Sequence, residues 1–442
     1  MEGAARTAVG GAPGDPRDLS DSGDSGTAIR QPTFRDVFAV AEFRALWLAQ
    51  LLSVAGDQLA RVAMTVLVYD RTHSALLTAA TYAVTFLPWV IGGLALSGLA
   101  DRLPRREVMV TCDVARLILV CLMALVSLKD SYAAALWVMV ALLFVVTLLD
   151  SPFKSARSAM TPDILTGERY VLGIAVTQTT LQIGMVAGFA LGGLVVAGLG
   201  VRTALLIDAA TFAFSAFLVR FGVSFRPAAA EPSEGSTSAF AEMAAGVRLV
   251  FGDRRLRTLM LLGWLVAFYV VPMGLAAPYA ASLRSSLSVP VATGLIFAAG
   301  PFGTAIGAVV VGRLIPQERR QRLMGALAIG SCGLLLLCWL HLGLIAALLT
   351  IAGSGACASY QLAANAAFVA AVPPQRRGQA FGLANGGMQV TQGLWIVLAG
   401  AAASSGAVTP AVSIACSGGL GAAVAAVLAI MWSRARVSRP TR

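Results

Sequence analysis

Near the middle of an apolar stretch over 43–69 stands an aspartate, Asp57, with Arg61 four residues further on. An ionised group in hydrocarbon costs about 2.5–3.5 kcal/mol on insertion scales, so an acid there needs a partner or a task. Residues four apart share a helix face, which lets Arg61 pair with Asp57. Two readings stay open. Either the carboxyl carries a proton or neutralises a cationic ligand, with Arg61 tuning it, or the pair is a buried strut. Asp113 with Arg116, Asp150 and Asp208 fall in other apolar stretches and are further coupling candidates, each with the alternative of pairing near a helix end.

Uncharged polar groups also recur at helical spacing. Gln178 and Gln182 share one face, Gln361 and Asn365 another, and Asn385, Gln389 and Gln392 a third. Such amide stripes either line a cavity or hold helices together. Phe86, Pro88 and Trp89, and again Trp264, Tyr269, Pro272 and Pro278, predict two bent helices with aromatic walls, because proline removes a helix hydrogen bond.

The elements that must position these side chains are membrane helices. Hydrophobic residues make up 57% of the 442 and charged residues 12%, outside the range of a soluble domain. Hydropathy predicts twelve spans, at 43–69, 75–100, 107–128, 132–153, 171–199, 201–221, 256–283, 290–312, 322–341, 343–371, 378–402 and 408–432. These runs are apolar on every face and too long for tilted strands, so a barrel is excluded. The expected fold class is an all-α integral membrane protein with twelve transmembrane helices in two six-helix halves. Residues 1–40 read as a disordered cytoplasmic tail and not a signal peptide. Residues 41–221 read as the first bundle, 222–255 as a cytoplasmic linker, 256–432 as the second bundle, and 433–442 as a basic tail.

A net charge of +11 could suggest nucleic acid, but the arginines gather on one side of the predicted spans. Arg102, Arg105, Arg106, Lys154, Arg157, Arg254, Arg319 and Arg376 fall in connections of one sense, against Arg71, Lys129, Arg202 and Arg284 in the other. The positive-inside rule therefore puts both termini in the cytoplasm of a multi-pass protein of the cell membrane. Within the linker, Phe240, Met243, Val247 and Phe251 recur opposite Glu242 and Arg248 and predict an amphipathic helix along the inner surface. The six cysteines show no CxxC pair and read as packing residues.

The connection after the second span reads GLADRLPRR from Gly98, and GRLIPQERR repeats its frame from Gly312, with Ile315 where the first copy has Asp101. Gly98 lets two helix ends approach, and Asp101 can accept from the free N–H groups of a neighbouring helix terminus. Arg102, Arg105 and Arg106 can pair with it or with lipid phosphates, which makes the cluster a conformational latch. In this motif the chain resembles the major facilitator superfamily of secondary transporters, although Pro104 replaces a usual glycine. Three more stretches look like that superfamily's branch of enterobactin-type siderophore and drug exporters. They are Gly56-Asp57-Gln58, LIDAATFAFSA from Leu206 and QRRGQAFGLANG from Gln375. Gly184, Gly188, Gly192 and Gly193 match an antiporter glycine pattern, with Phe189 in place of its proline; close helix packing explains the same glycines.

The resemblance implies proton-coupled export of an amphipathic drug-like or siderophore-like small molecule by alternating access, with uptake of a metabolite or a non-transporting receptor as the competing readings. An enzyme is not expected. With Lys129 and Lys154 the only lysines, no P-loop can form, and His73 and His341 cannot make an HExxH zinc site. No cofactor or metal is implied. The expected partners are a small-molecule substrate, protons and the lipid bilayer, for a chain that acts as a monomer.

Overall fold

The computed structural model describes residues 33–95, 103–128, 132–227, 239–341 and 343–437, and every regular element among them is a helix. Helix α1 (Ala41–Thr72) runs ~48 Å at 1.5 Å per residue, then turns sharply at His73, whose φ of 48° is left-handed. Ser74 opens the next helix by accepting the N–H of Leu77 at 3.2 Å. That span bends as the sequence predicts. Helix α2 (Ala75–Val84) stops where the Thr85 hydroxyl donates to Tyr82 O at 2.7 Å, and α3 (Leu87–Ala95) restarts with Pro88 in its first turn.

Helix α4 is Arg105–Val126 and α5 is Tyr132–Ile164. The second is a correction. Expected to end near 153, α5 continues through Pro152 and Pro162, so Lys154 and Arg157 lie inside a helix and not in a connection. Hydropathy falls where these cations begin, but the backbone continues because Lys154 finds Asp150 one turn back at 2.6 Å. Helix α6 (Glu168–Gly222) covers two predicted spans, separated by Gly200 alone, whose φ of 81° and ψ of 167° leave the helical region.

The linker contributes α7 (Ala239–Gly252). Helix α8 (Arg254–Trp264) is followed by three short turns at Val266–Tyr269, Val271–Gly274 and Ala276–Ser282, the predicted bend around Pro272 and Pro278. The remainder is α9 (Val289–Leu314), α10 (Gln317–Gly333) with a tight-helical extension to Leu340, α11 (Leu344–Cys357), α12 (Tyr360–Ala371), α13 (Arg377–Ser404) and α14 (Pro410–Val437). Ten helical segments among the described residues are long and apolar enough to cross a membrane. One of these is α6, with its two arms on either side of Gly200. The 28-residue α13, diluted by amides and glycines, is not among the ten.

Two ends of the bundle can be told apart. The linker end carries 223–227, α7 and the turns before α6, α10 and α13; the opposite end carries the turns at 73–74, Gly200 and 283–288, then His341 with Gly343, and 405–409. Contacts joining α1–α6 to α8–α14 gather at the opposite end. A Cβ on Gly193 would lie 2.7 Å from Pro290 O, and one on Gly400 would lie 3.2 Å from Ala75 O, so these helices meet backbone to backbone. Leu76 N–H donates to Ser404 Oγ at 2.7 Å. Phe189 stacks on Phe297 with ring centroids 4.9 Å apart, and Tyr82 packs on Phe297 at 5.5 Å. One hydrophobic core runs through this seal, drawing Val62, Tyr82 and Phe189 from one group and Tyr279, Ile296 and Ile396 from the other.

Candidate functional site

Four carboxylates from four different spans meet inside the first group of helices. Asp57 comes from α1, Asp113 from α4, Asp150 from α5 and Asp208 from the second arm of α6. Their hub is Arg116, which is 1% exposed. Its Nη2 donates to both oxygens of Asp57, at 2.8 and 3.0 Å, while Asp113 lies 3.7 Å and Asp150 3.9 Å away. The guanidinium also lies 4.1 Å from the centroid of the Phe212 ring, a cation–π contact that uses the face left by the carboxylates.

The expected pairing of Asp57 with Arg61 is thereby corrected. Both side chains line the same narrow cavity with Arg116, Thr147, Asp150 and Asp208, but Arg116 takes both oxygens of Asp57 from 59 residues away. Nη2 alone spans the two oxygens while Nη1 reaches Ser53 Oγ at 3.4 Å, so Asp57 is held from α4 and not by its neighbour one turn along α1. The remaining members are fixed separately. Ser215 donates to Asp113 Oδ2 at 2.6 Å, and Lys154 holds Asp150 while its ammonium sits 3.9 Å from the Trp89 ring centroid. Asp208 meets no cation within 4.0 Å among the described residues. It faces the backbone of Gly56 and receives only a long contact from Thr211 Oγ1 at 3.5 Å.

The predicted amides divide by environment. Gln178, Asn365 and Asn385 are exposed and Gln182 is half-buried, all on stretches toward the linker end. Gln361 instead donates to the Tyr269 hydroxyl at 2.6 Å, and Gln392, buried, donates to Gln389 Oε1 at 3.1 Å. Of these, Gln361 ties α12 to the Val266–Tyr269 turn, whereas Gln392 and Gln389 bond along α13 itself. Near them Trp264 Nε1 donates to Ala384 O at 2.9 Å, with Gly387 pressed against its ring. An apolar pocket between α8, α13 and α14 is walled by Trp264, Phe268 and Trp395.

Of the predicted latch, Gly98, Asp101 and Arg102 lie outside the described residues. Arg105 donates to Asp163 at 2.6 Å and to Ala159 O at 2.9 Å, which caps the last turn of α5 with a cation. Arg106 pairs with Glu107 and donates to Val223 O at the end of α6. Among the described residues both arginines therefore bind within the first group of helices, not across to the second. In the repeated frame Arg320 does the same for α9, donating to Ile315 O at 2.6 Å and to Gly312 O.

Comparison with known proteins agrees with this architecture. The family model described as the Major Facilitator Superfamily matches residues 46–359. The enterobactin exporter EntS of Salmonella typhi is 29% identical over 304 residues, which are 65% of this chain and 68% of that protein. Among solved structures, nucleoside transporter NupG aligns with a TM-score of 0.68 at 15% identity, over 90% of this chain and all of that one. A bacterial homologue of the iron transporter ferroportin, in an inward-facing state, aligns at 0.66 and 14% identity over 92% of this chain and 100% of its own. At such identities the two structures speak for the fold alone.

Proposed function

The chain belongs to the Major Facilitator Superfamily and is a multi-pass membrane transporter, and on that footing we propose that it exports an amphipathic small molecule across the cell membrane in exchange for protons. The linker end faces the cytoplasm in this reading, with both termini. The observation that carries it is the buried knot of Asp57, Asp113, Asp150 and Asp208 around Arg116, since four intramembrane acids are a standing cost that transport can explain. Asp57, 21% exposed at its side chain, and Asp208, with no cation within 4.0 Å among the described residues, are the carboxyls to which this reading gives the proton.

The second group of helices supplies the complementary surface. After Asp253 the sequence contains one acid, Glu318, so no carboxyl stands within those spans. Gln361, Asn365, Asn385 and the aromatic walls of Trp264 and Trp395 suit a partly apolar molecule with a few hydrogen-bonding groups. Backbone contact at the opposite end, with amides exposed toward the linker end, is the geometry of a carrier ready to load from the cytoplasm. Sidedness, export, proton exchange and operation as a monomer all belong to this proposal.

The test is accumulation of fluorescent dyes by cells expressing the protein, with and without a protonophore. Expression should lower accumulation and the protonophore should abolish the difference. Accumulation that rises with expression overturns the export reading, and an unchanged Asp57→Asn variant removes that carboxyl from the mechanism.

A further inference from the structure

The linker end of the second group carries an open groove of about 560 Å³ where the last turns of α7 meet the start of α13, lined by Arg248, Leu249, Gly252, Asp253, Arg376 and Gln379. At about 30 Å³ per water it has room for roughly eighteen waters, enough for a phosphate and the glycerol behind it. Its walls are fixed. Leu249 and Val250 pack on the second group's own core, and a Cβ on Gly246 would lie 2.7 Å from Gln379 O, so α7 rests backbone to backbone on the first turn of α13. Arg248 and Arg376, from elements far apart in sequence, thus border one volume, and among the described residues neither has a carboxylate within 4.0 Å. Asp253 also lines the groove but is committed to capping α8, its Oδ1 accepting the N–H groups of Arg255 at 2.6 Å and Leu256 at 3.1 Å. Arg254 and Arg377, next in sequence to Asp253 and Arg376, are exposed. Arg376 is the N-cap of α13 and makes no side-chain capping bond, so the positive end of that helix adds to the two guanidinium groups.

The outer surface of α7 is divided. Val247 and Phe251, one turn apart, are 39% and 40% exposed, and Arg248 and Gly252 lie about 100° further round the helix. An apolar strip beside a basic one is the pattern of a helix seated at a membrane surface, with the strip toward the acyl chains and the cations among the headgroups. We propose that the groove binds the phosphate of an anionic phospholipid, held by Arg248 and Arg376, with an acyl chain lying over Val247 and Phe251. A zwitterionic headgroup fits less well, because its ammonium enters the field of the same arginines. A free phosphate would leave Val247 and Phe251 uncovered. The inference needs only that this end of the bundle meets a bilayer surface, and it stands apart from the export reading.

The test is native mass spectrometry of the full-length protein in detergent, titrated with phosphatidylglycerol or with phosphatidylethanolamine of the same acyl chains. Phosphatidylglycerol should bind its tightest site severalfold more strongly. Arg248→Gln and Arg376→Gln should each weaken that site about fivefold, and together about thirtyfold, while phosphatidylethanolamine is unaffected. Phe251→Ser should weaken it severalfold with the charge intact. Arg202→Gln, at an exposed arginine of the opposite end, should change nothing. Equal binding of the two lipids overturns the site, as does tight phosphatidylglycerol binding that survives the double variant, or an equal loss in Arg202→Gln. Inorganic phosphate that displaces the lipid at equal concentration, with Phe251→Ser without effect, overturns the lipid as occupant. If the double variant does not fold, the two single variants decide, and unchanged affinity in both overturns the site.

Discussion

Replacing Arg116 by leucine should be the most damaging single change in the carboxylate knot. Arg116 Nη2 donates to both oxygens of Asp57, at 2.8 and 3.0 Å, and the guanidinium is the nearest cation to Asp113, at 3.7 Å. Breaking a buried pair by removing one partner costs about 3–5 kcal/mol, because the other charge stays behind. Here three acids lose a common counter-ion, and only Asp150 keeps another, Lys154. Asp57→Asn, by contrast, leaves Arg116 two carboxylates and an amide that still accepts, so its cost should be nearer the ~1.5–3 kcal/mol of a hydrogen bond to a charged group. At about 2 °C per kcal/mol for a large chain, Arg116→Leu should lower the apparent melting temperature in detergent by roughly 6–10 °C. Asp57→Asn should lower it by about half as much. The double variant Arg116→Leu with Asp57→Leu should recover part of the loss, since an apolar pair is cheaper than an orphaned acid. If Asp57→Asn proves as damaging as Arg116→Leu, or the double variant is no better than the single, Arg116 is not the hub.

Three further outcomes follow from the packing. Phe297→Ala removes a fully buried ring from its stack with Phe189, a loss of about 3–5 kcal/mol, and should open the seal at the opposite end; labelling of a cysteine placed at Tyr279 should rise. Gly294→Leu drives a side chain into Gly193, where an added Cβ already falls 2.8 Å from the Gly193 Cα. It should favour the conformation open at the opposite end, read as reduced labelling of cysteines at Gln178 and Asn365. Gly56→Val collides with Asp208 Oδ1 and Thr211 Oγ1 and should abolish gradient-driven dye export, whereas Gly263→Ala, with open space around it, should leave export and stability unchanged.

Much of the fold could be read from residue order alone, because spans in lipid are set by length and apolarity. The break at Gly200 and the bends around Pro88 and Pro272 were equally visible, since backbone chemistry is local. What hid was lateral. A helix-spacing rule pairs Asp57 with Arg61, four residues away, and has no means of seeing Arg116 on another helix at the same depth. Hydropathy ends the fourth span at the first cation and so assigns Lys154 to a connection, although its pairing with Asp150 makes it part of the knot. Depth gives no warning either, because a fourth span ended at 153 sets Asp150 only ~5 Å from the linker end, and it reaches ~21 Å, level with Asp57 at ~24 Å, only once α5 runs to Ile164.

The same packing suggests how a proton on the first group could be felt by the second, whose spans contain no carboxyl of their own. Residues 55–58 of α1 are clasped on two sides. On one, Gly56 leaves room for Asp208 and Thr211 of the second arm of α6; on the other, Gly188 of the first arm sits so close that a Cβ would lie 2.7 Å from Ala55 O. The residue after Gly188 is Phe189, and its ring is the one stacked on Phe297 of α9. A shift of α1 that follows a change at Asp208 or Asp57 therefore has no soft side chain to absorb it before it reaches the seal. Backbone-to-backbone packing transmits displacement, while a layer of flexible side chains would dissipate it. The glycines of α6 and the phenylalanine that interrupts their pattern thus belong to one device. If the proposed proton exchange holds, the glycines would keep the contact stiff and Phe189 would carry the movement across the interface.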